Sequence, residues 1–129
     1  MRLSTLLLRV STILLLVGLC IGIGMAMKQD FRMAPTHAHL NLVGFVIMFL
    51  TGLYYRLVPA AETLIAAKAH AYLHIAAGII FPIGIYAVTV VNPSYEFLAI
   101  IGSLLFLAAM ISFTVVVYRT GGSLSAEKI

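Results

Sequence analysis

The four histidines of this chain form two close pairs, His37 with His39 and His70 with His74. Imidazole is the commonest protein ligand for transition metals and for haem iron, and it is costly to place inside a membrane without a partner. The surrounding sequence is strongly apolar. The clustering therefore predicts a site for haem or for a metal ion, and all four histidines are candidate metal ligands.

The composition places these histidines in a membrane. Of the 129 residues, 63% are hydrophobic and 9% are charged, whereas charged residues make up about a quarter of a soluble domain. At about 20 residues per span, the length predicts one domain of four transmembrane helices. The expected fold class is all-α, an integral membrane four-helix bundle. The net charge of +4 comes from basic residues at segment ends, so we expect membrane lipid as a partner and no nucleic acid.

Polar connections and prolines divide the chain into its expected spans, which are residues 3–27, 35–58, 62–91 and 95–118. Pro35 suits the first turn of the second helix, and Glu62 is expected in the first turn of the third. Pro82 is expected to kink the outer half of the third helix. The first apolar run has some features of a secretory signal, but it is longer than a usual signal core, so we interpret it as a span.

The distribution of lysine and arginine predicts an N-in/C-in orientation in the inner (cytoplasmic) membrane of a prokaryote. This orientation leaves Lys28 and Arg32 outside and collects the other basic residues inside, namely Arg2, Arg9, Arg56, Lys68, Arg119 and Lys128. His37 and His39 then lie near the outer face. His70 and His74 lie two to three turns into the third helix from the inner face.

Helical geometry indicates which of these residues share a face. Residues four apart lie on one side of a helix, which joins His70, His74 and Gly78 in one stripe. Gly78 is expected to leave space for a flat macrocycle. On the second span, His37 and Asn41 share a side, and Asn41 is expected either to fix an imidazole tautomer or to bond across helices. His39 points about 200° away from His37 if the helix is regular.

The heights of the histidines along their helices test whether one haem could be ligated by both a second-helix histidine and His74. Counted from the shared turn near Ala60, His39 lies about 31 Å up its helix and His74 about 21 Å up its own. Two axial ligands of one iron should lie within about 4–5 Å of one level, twice the usual metal–nitrogen length. Helix tilt, two separate metals, or ligands from two copies of the chain are the alternatives that the sequence leaves open.

Two further patterns have simpler interpretations. Gly18 and Gly22 form a G-x-x-x-G pair, which favours close helix packing over a ligand groove. The run Tyr54-Tyr55-Arg56 is typical of an aromatic and basic anchor at a membrane interface.

The second span contains the pattern His37-x-His39-x-Asn41-x-x-Gly44, then an aliphatic run with Tyr54-Tyr55 and Pro59. It resembles the second transmembrane helix of the catalytic subunit of the haem-copper oxidase superfamily, closest to the nitric oxide reductase and cbb3-type oxidase branches. In that family a histidine at the outer end of this helix ligates a low-spin haem b. The resemblance implies His37 as that ligand, with His39 as the neighbouring candidate.

The rest of the chain departs from the family, because the helices that carry its other haem, copper and non-haem iron ligands are missing. His70 and His74 match no family position. Since the family's catalytic subunit looks like three four-helix units around a pseudo-threefold axis, the resemblance implies a homotrimer that binds haem b, with a respiratory-chain protein as a further partner. The implied role is electron transfer or chemistry on O2 or NO. If the protein is an enzyme, it is an oxidoreductase of this type; no catalytic residue is assigned.

Two other classes of function stay open. The histidines could bind or transport copper or another transition metal. Alternatively, the chain could be a non-catalytic assembly partner of a respiratory complex, with its histidines uncoordinated. The spans carry no acidic residue at depth, which disfavours a small proton-coupled multidrug exporter.

Overall fold

A computed structural model describes residues 1–121 of the chain. It contains four long helices, which are α1 (Leu3–Lys28), α2 (Ala34–Leu57), α3 (Ile65–Val91) and α4 (Pro93–Thr120). Each is long and apolar enough to cross a membrane, and no strand occurs in residues 1–121. The expectation of an all-α chain with four such helices is confirmed. The expected position of Lys128 lies outside the described residues.

The connection between α1 and α2 is closed by local hydrogen bonds. Gln29 ends α1 in the left-handed region, at φ 51°, and its side chain donates to the carbonyl of Ala26 at 2.7 Å. Arg32 then forms a salt bridge with the carboxylate of Asp30, in which its Nη2 donates to Oδ2 at 2.7 Å. These bonds satisfy backbone groups at a helix end and turn the chain back toward the bundle. Residues 29–33 mark what we call the Asp30 end of the bundle.

The second helix is not a regular α-helix. Pro35 lies in its first turn, as predicted, but Leu40–Ile47 forms a π-helix before α geometry resumes at Met48. π-helical turns are rare and often occur at functional sites. The widened segment includes Val43, whose carbonyl is bonded from α3.

The opposite end of the bundle is formed by the short 3₁₀ turn Pro59–Thr63, and we call it the Glu62 end. The prediction that Glu62 lies in the first turn of the third helix is wrong, because Leu64 is extended and α3 begins at Ile65. The carboxylate instead accepts a hydrogen bond from the N–H of Ser4 at 3.2 Å and lies 3.6 Å from the Arg2 guanidinium. Glu62 thus stabilises the start of α1, where unpaired N–H groups and the helix dipole favour an anion.

The third helix contains Pro82 within its α-helical part, and it changes to π geometry only at Ala87–Val91. Asn92 follows and accepts from the N–H of Ser94 at 2.9 Å, which starts α4. Glycines let α3 and α4 approach closely, because a side chain at Gly84 or Gly102 would meet the backbone of the other helix. The last two helices therefore form a tight pair.

Most large apolar side chains face outward. Leu16, Ile23 and Leu104, for example, are about 60% exposed, at 62%, 61% and 58%. The buried core is small and lies toward the Glu62 end, around Leu7 and Tyr55. An apolar exterior around a partly polar interior is the arrangement expected of helices surrounded by lipid.

Candidate functional site

His70 and His74 lie on one face of α3 and are fully buried. Their rings are joined in a hydrogen-bonded chain between α2 and α3. Tyr55 Oη lies 2.9 Å from His70 Nδ1, and His70 Nε2 lies 3.1 Å from His74 Nδ1. His74 Nε2 reaches the carbonyl oxygen of Val43 at 3.0 Å. We call these four residues the buried histidine chain.

The carbonyl at one end fixes the direction of every bond in this chain. Imidazoles buried in apolar surroundings are neutral. Because a carbonyl oxygen only accepts, the one N–H of His74 is on Nε2, and its Nδ1 accepts from Nε2–H of His70. The Nδ1 of His70 then accepts the hydroxyl proton of Tyr55. Each ring is neutral and makes two hydrogen bonds. The buried histidine chain therefore has all its hydrogen bonds without a metal ion. It joins α2 to α3 at two points, Tyr55 to His70 and Val43 to His74.

Aromatic side chains of α4 cover this chain. Phe113 lies 4.9 Å from His70 between ring centroids, and Phe106 lies 5.4 Å from His74. Phe113 also packs edge-on against Tyr55 at 6.0 Å. These rings keep other polar groups away from the imidazoles, so the hydrogen bonds operate in an apolar environment where breaking them is costly.

His37 faces α1, on the side that the G-x-x-x-G pair leaves open. Its Nδ1 donates to the carbonyl of Gly18 at 2.8 Å, and its Nε2 accepts from Nδ2 of Asn41 at 3.3 Å. A side chain at Gly18 would collide with Asn41, and one at Gly22 would lie 2.8 Å from the His37 ring. The glycines thus pack against these two side chains. The Gly18 carbonyl fixes the His37 tautomer, and Asn41 donates to the other ring nitrogen from one turn along the same helix.

His39 faces a different helix, as its spacing from His37 predicts. Its ring packs edge-on against Phe81 of α3, 4.9 Å between centroids. Its Nδ1 donates to the carbonyl of Pro35 at 2.7 Å. Nε2 therefore carries a lone pair, and it has no hydrogen-bond partner within the described part of the chain. Among the four histidines, His39 alone presents an unengaged ring nitrogen in residues 1–121.

The structure brings together His70 with His74 and His37 with Asn41, but it does not bring all the predicted ligands together. His74 meets α2 at Val43, four residues beyond His39, which corresponds to about 6 Å along a helix. Within residues 1–121, no group of three or more His, Cys, Asp or Glu side chains could hold a metal ion. Within the described part of the chain, the one hydrogen bond between two imidazoles joins His70 Nε2 and His74 Nδ1 at 3.1 Å.

A haem bridged by two histidines of one chain does not fit this arrangement. The space that Gly78 was expected to leave beside His74 is partly filled, because a side chain there would lie 2.9 Å from Met48 Cε. The remaining cavity beside Gly78, about 300 Å³, is lined by apolar side chains with Thr36 and Tyr86, and no histidine lines it. Of the predicted ligands, His39 alone has a ring nitrogen in residues 1–121 that could take an iron without breaking a hydrogen bond.

A scan against family models, a search of curated proteins and a search of solved structures each found no match. The likeness to the haem-copper oxidase superfamily therefore rests on the sequence pattern of the second helix alone.

Sequence reasoning missed the contribution of Tyr55, which it interpreted as an interfacial anchor. It also missed the aromatic cover from Phe106 and Phe113. One signal was present, because these two phenylalanines are seven residues apart and so share a face of α4. No sequence signal indicated that the carbonyl of Val43 would complete the chain.

Proposed function

We propose that this protein binds haem b in the inner (cytoplasmic) membrane of a prokaryote and serves electron transfer or chemistry on O2 or NO. His39 carries the proposal, because its Nε2 lone pair is unengaged while its Nδ1–H is held by the carbonyl of Pro35. A second nitrogen held in this way is usual for an imidazole that ligates a metal. When bound, haem b would supply an iron for electron transfer or for binding a diatomic gas.

The residues around His39 would orient it for this role. The carbonyl of Pro35 fixes the tautomer and the Phe81 ring limits rotation of the imidazole. The resemblance of the second helix to that of the haem-copper oxidases places a ligand at this end of α2, at His37 or its neighbour. Because both nitrogens of His37 are hydrogen-bonded, His39 is the better candidate of the two.

The proposed orientation is N-in/C-in. Basic residues are concentrated at the termini and near the Glu62 end, which would put that end in the cytoplasm and His39 near the outer face.

A single ligand per chain also supports an oligomer. If haem b takes two axial ligands, the second has to come from another copy of this chain or from a respiratory-chain partner. A homotrimer, which the resemblance implies, would provide such a neighbour. Chemical crosslinking or native mass spectrometry in mild detergent should show more than one copy, and a uniform monomer would contradict this part of the proposal.

The decisive experiment is the absorption spectrum of the purified protein from cells supplied with iron and a haem precursor. Soret and α bands are expected in the reduced wild type. His39→Ala should abolish them, whereas His74→Gln, measured only if its helicity is retained, should leave them in place.

Three results would contradict the proposal. Bands that survive His39→Ala but vanish in His74→Gln would move the ligand to the buried histidine chain. A colourless protein with bound copper or zinc by elemental analysis would replace haem with a metal site. A protein that is colourless and metal-free, even after reconstitution with haem, would show that no cofactor binds.

A second candidate is a non-catalytic assembly partner of a respiratory complex. The observation in its favour is that His37, His70 and His74 have partners for both ring nitrogens. Their burial therefore needs no cofactor to explain it. The last of the three results above is the one that this candidate predicts.

A further inference from the structure

A cleft between α1, the start of α2 and the second half of α3 opens near the Asp30 end. Its apolar part is the 300 Å³ cavity already described, which runs from Leu14 to Tyr86. A second cavity of about 270 Å³ lies next to it and includes Lys28, Asp30 and Arg32. The two share Ile21, Met33 and Tyr86 as lining residues, so they form one continuous cleft.

The chemistry of the cleft changes in order along its length. Its mouth carries the charges of Lys28 and Arg32 against the single carboxylate of Asp30, which leaves an excess of positive charge. Just inside lies Thr36, and apart from Tyr86, which also lines the mouth, the rest of the lining is apolar. A membrane lipid shows the same order, with a charged phosphate, then ester carbonyls, then an acyl chain.

Thr36 is the feature that packing alone does not account for. The residue is 4% exposed, and its hydroxyl is buried without a hydrogen-bond partner. A buried hydroxyl in that state is unfavourable. Threonine in a helix divides between two χ1 rotamers, so the hydroxyl can turn toward an acceptor in the cleft.

The dimensions also suit a lipid from one leaflet. From Lys28 at the mouth to Leu14 at the deep end, the cleft follows α1 for about 21 Å. Half of a bilayer's hydrocarbon core is about 15 Å, so the whole cleft, with its charged mouth, has roughly the length of a phosphate and ester region followed by much of one acyl chain.

We propose that this cleft is a specific binding site for an anionic phospholipid. Lys28 attracts the phosphate, the Thr36 hydroxyl donates to an ester carbonyl, and an acyl chain lies against Val17, Ile21 and Ile79 toward Leu14. A neutral quinone would satisfy Thr36 and the apolar wall, but it has no group for the positive mouth. The charge therefore favours the phospholipid. The site is independent of whether the chain binds haem.

The test is native mass spectrometry of the full chain with added phosphatidylglycerol or phosphatidylcholine of equal chain length. We expect phosphatidylglycerol to be retained several-fold more strongly. Thr36→Val should reduce its retention about fivefold, the loss of one hydrogen bond, and Lys28→Gln should reduce its preference over phosphatidylcholine. Thr36→Ser should restore retention.

Thr51→Val is the matched control, since Thr51 is equally buried but bonds to its own helix at Met48. It should retain the lipid as the wild type does. Equal retention of the two lipids, or retention unaffected by Thr36→Val, would overturn the proposal. If decylubiquinone displaces the lipid, and Thr36→Val weakens that displacement while Lys28→Gln leaves it unchanged, the proposal is overturned in favour of a quinone site. If Thr36→Val does not fold, the comparison of Lys28→Gln with the wild type decides.

Discussion

The side chain of His74 bonds to the backbone of the neighbouring helix, with Nε2 donating to the carbonyl oxygen of Val43 at 3.0 Å. That carbonyl lies inside the π-helical part of α2. This contact determines which atoms carry protons in both imidazoles and in the Tyr55 phenol. Once His74 donates to the carbonyl, its other nitrogen must accept from His70, and His70 must in turn accept from Tyr55.

The first prediction concerns tautomers. Both His70 and His74 should be neutral because they are fully buried in apolar surroundings. Both should be protonated on Nε2, since any other placement of one proton on each ring sets two donors or two acceptors against each other. Nitrogen-15 NMR of histidine-labelled protein distinguishes the two ring nitrogens directly. An Nδ1–H signal from either residue would contradict the deduced direction of the chain.

The second prediction concerns Tyr55. In Tyr55→Phe the Nδ1 atom of His70 loses its donor in a dry environment, and we expect a loss of about 1–2 kcal/mol in unfolding free energy. Reversible unfolding in mixed micelles with increasing SDS measures this. Tyr72→Phe is the control, because Tyr72 is 62% exposed and its change should lie within about 0.5 kcal/mol. Equal effects of both substitutions would show that the bond adds nothing to stability.

The third prediction concerns the packing of α1 on α2. In Gly18→Ala the new methyl group collides with Asn41, and moving Asn41 disturbs its bond to His37. We expect a loss of about 1–3 kcal/mol. Gly24 provides a contrast on the same helix, because a side chain there meets nothing within 4 Å. Gly24→Ala should be neutral or stabilising by up to about 1 kcal/mol; a similar loss in both variants would point to a general intolerance of α1.

The fourth prediction concerns pH at the Asp30 end. Hydrogen bonds from Arg32 lower the pKa of Asp30 from 3.8 to about 2. A depressed carboxyl pKa adds stability that is complete above the unfolded value and is lost as pH falls through the folded one. The loss should therefore occur between about pH 4 and pH 2. Carbon-13 NMR titration of the Asp30 carboxyl checks this, and Arg32→Gln should return its midpoint toward 3.8.

Much of the helical framework is predictable because it depends on local properties. Long apolar runs mark the four helices, and the loop at residues 29–33 follows from its charges. The opposite directions of His37 and His39 follow from helical periodicity. These features need only the residues near one another in the chain.

The candidate site is less predictable because it depends on how helices meet. Tyr55 joins His70 only through the relative register of α2 and α3, and the widened turns of α2 change that register in a way no local pattern indicates. Glu62 likewise reaches Ser4 at the far end of the sequence instead of starting the helix that follows it. In each case the partner is a backbone group or a residue on another helix.

The stretch Leu40–Ile47 has a further consequence for how this protein tolerates change. Because its turns hold more residues than those of an α-helix, it sets the angular offset between the two halves of α2. Deleting one residue there would rotate His37 away from Gly18 while Tyr55 remained opposite His70. The number of residues in this segment therefore matters more than their identity. Exchanging one aliphatic residue for another should be far less harmful than deleting a residue.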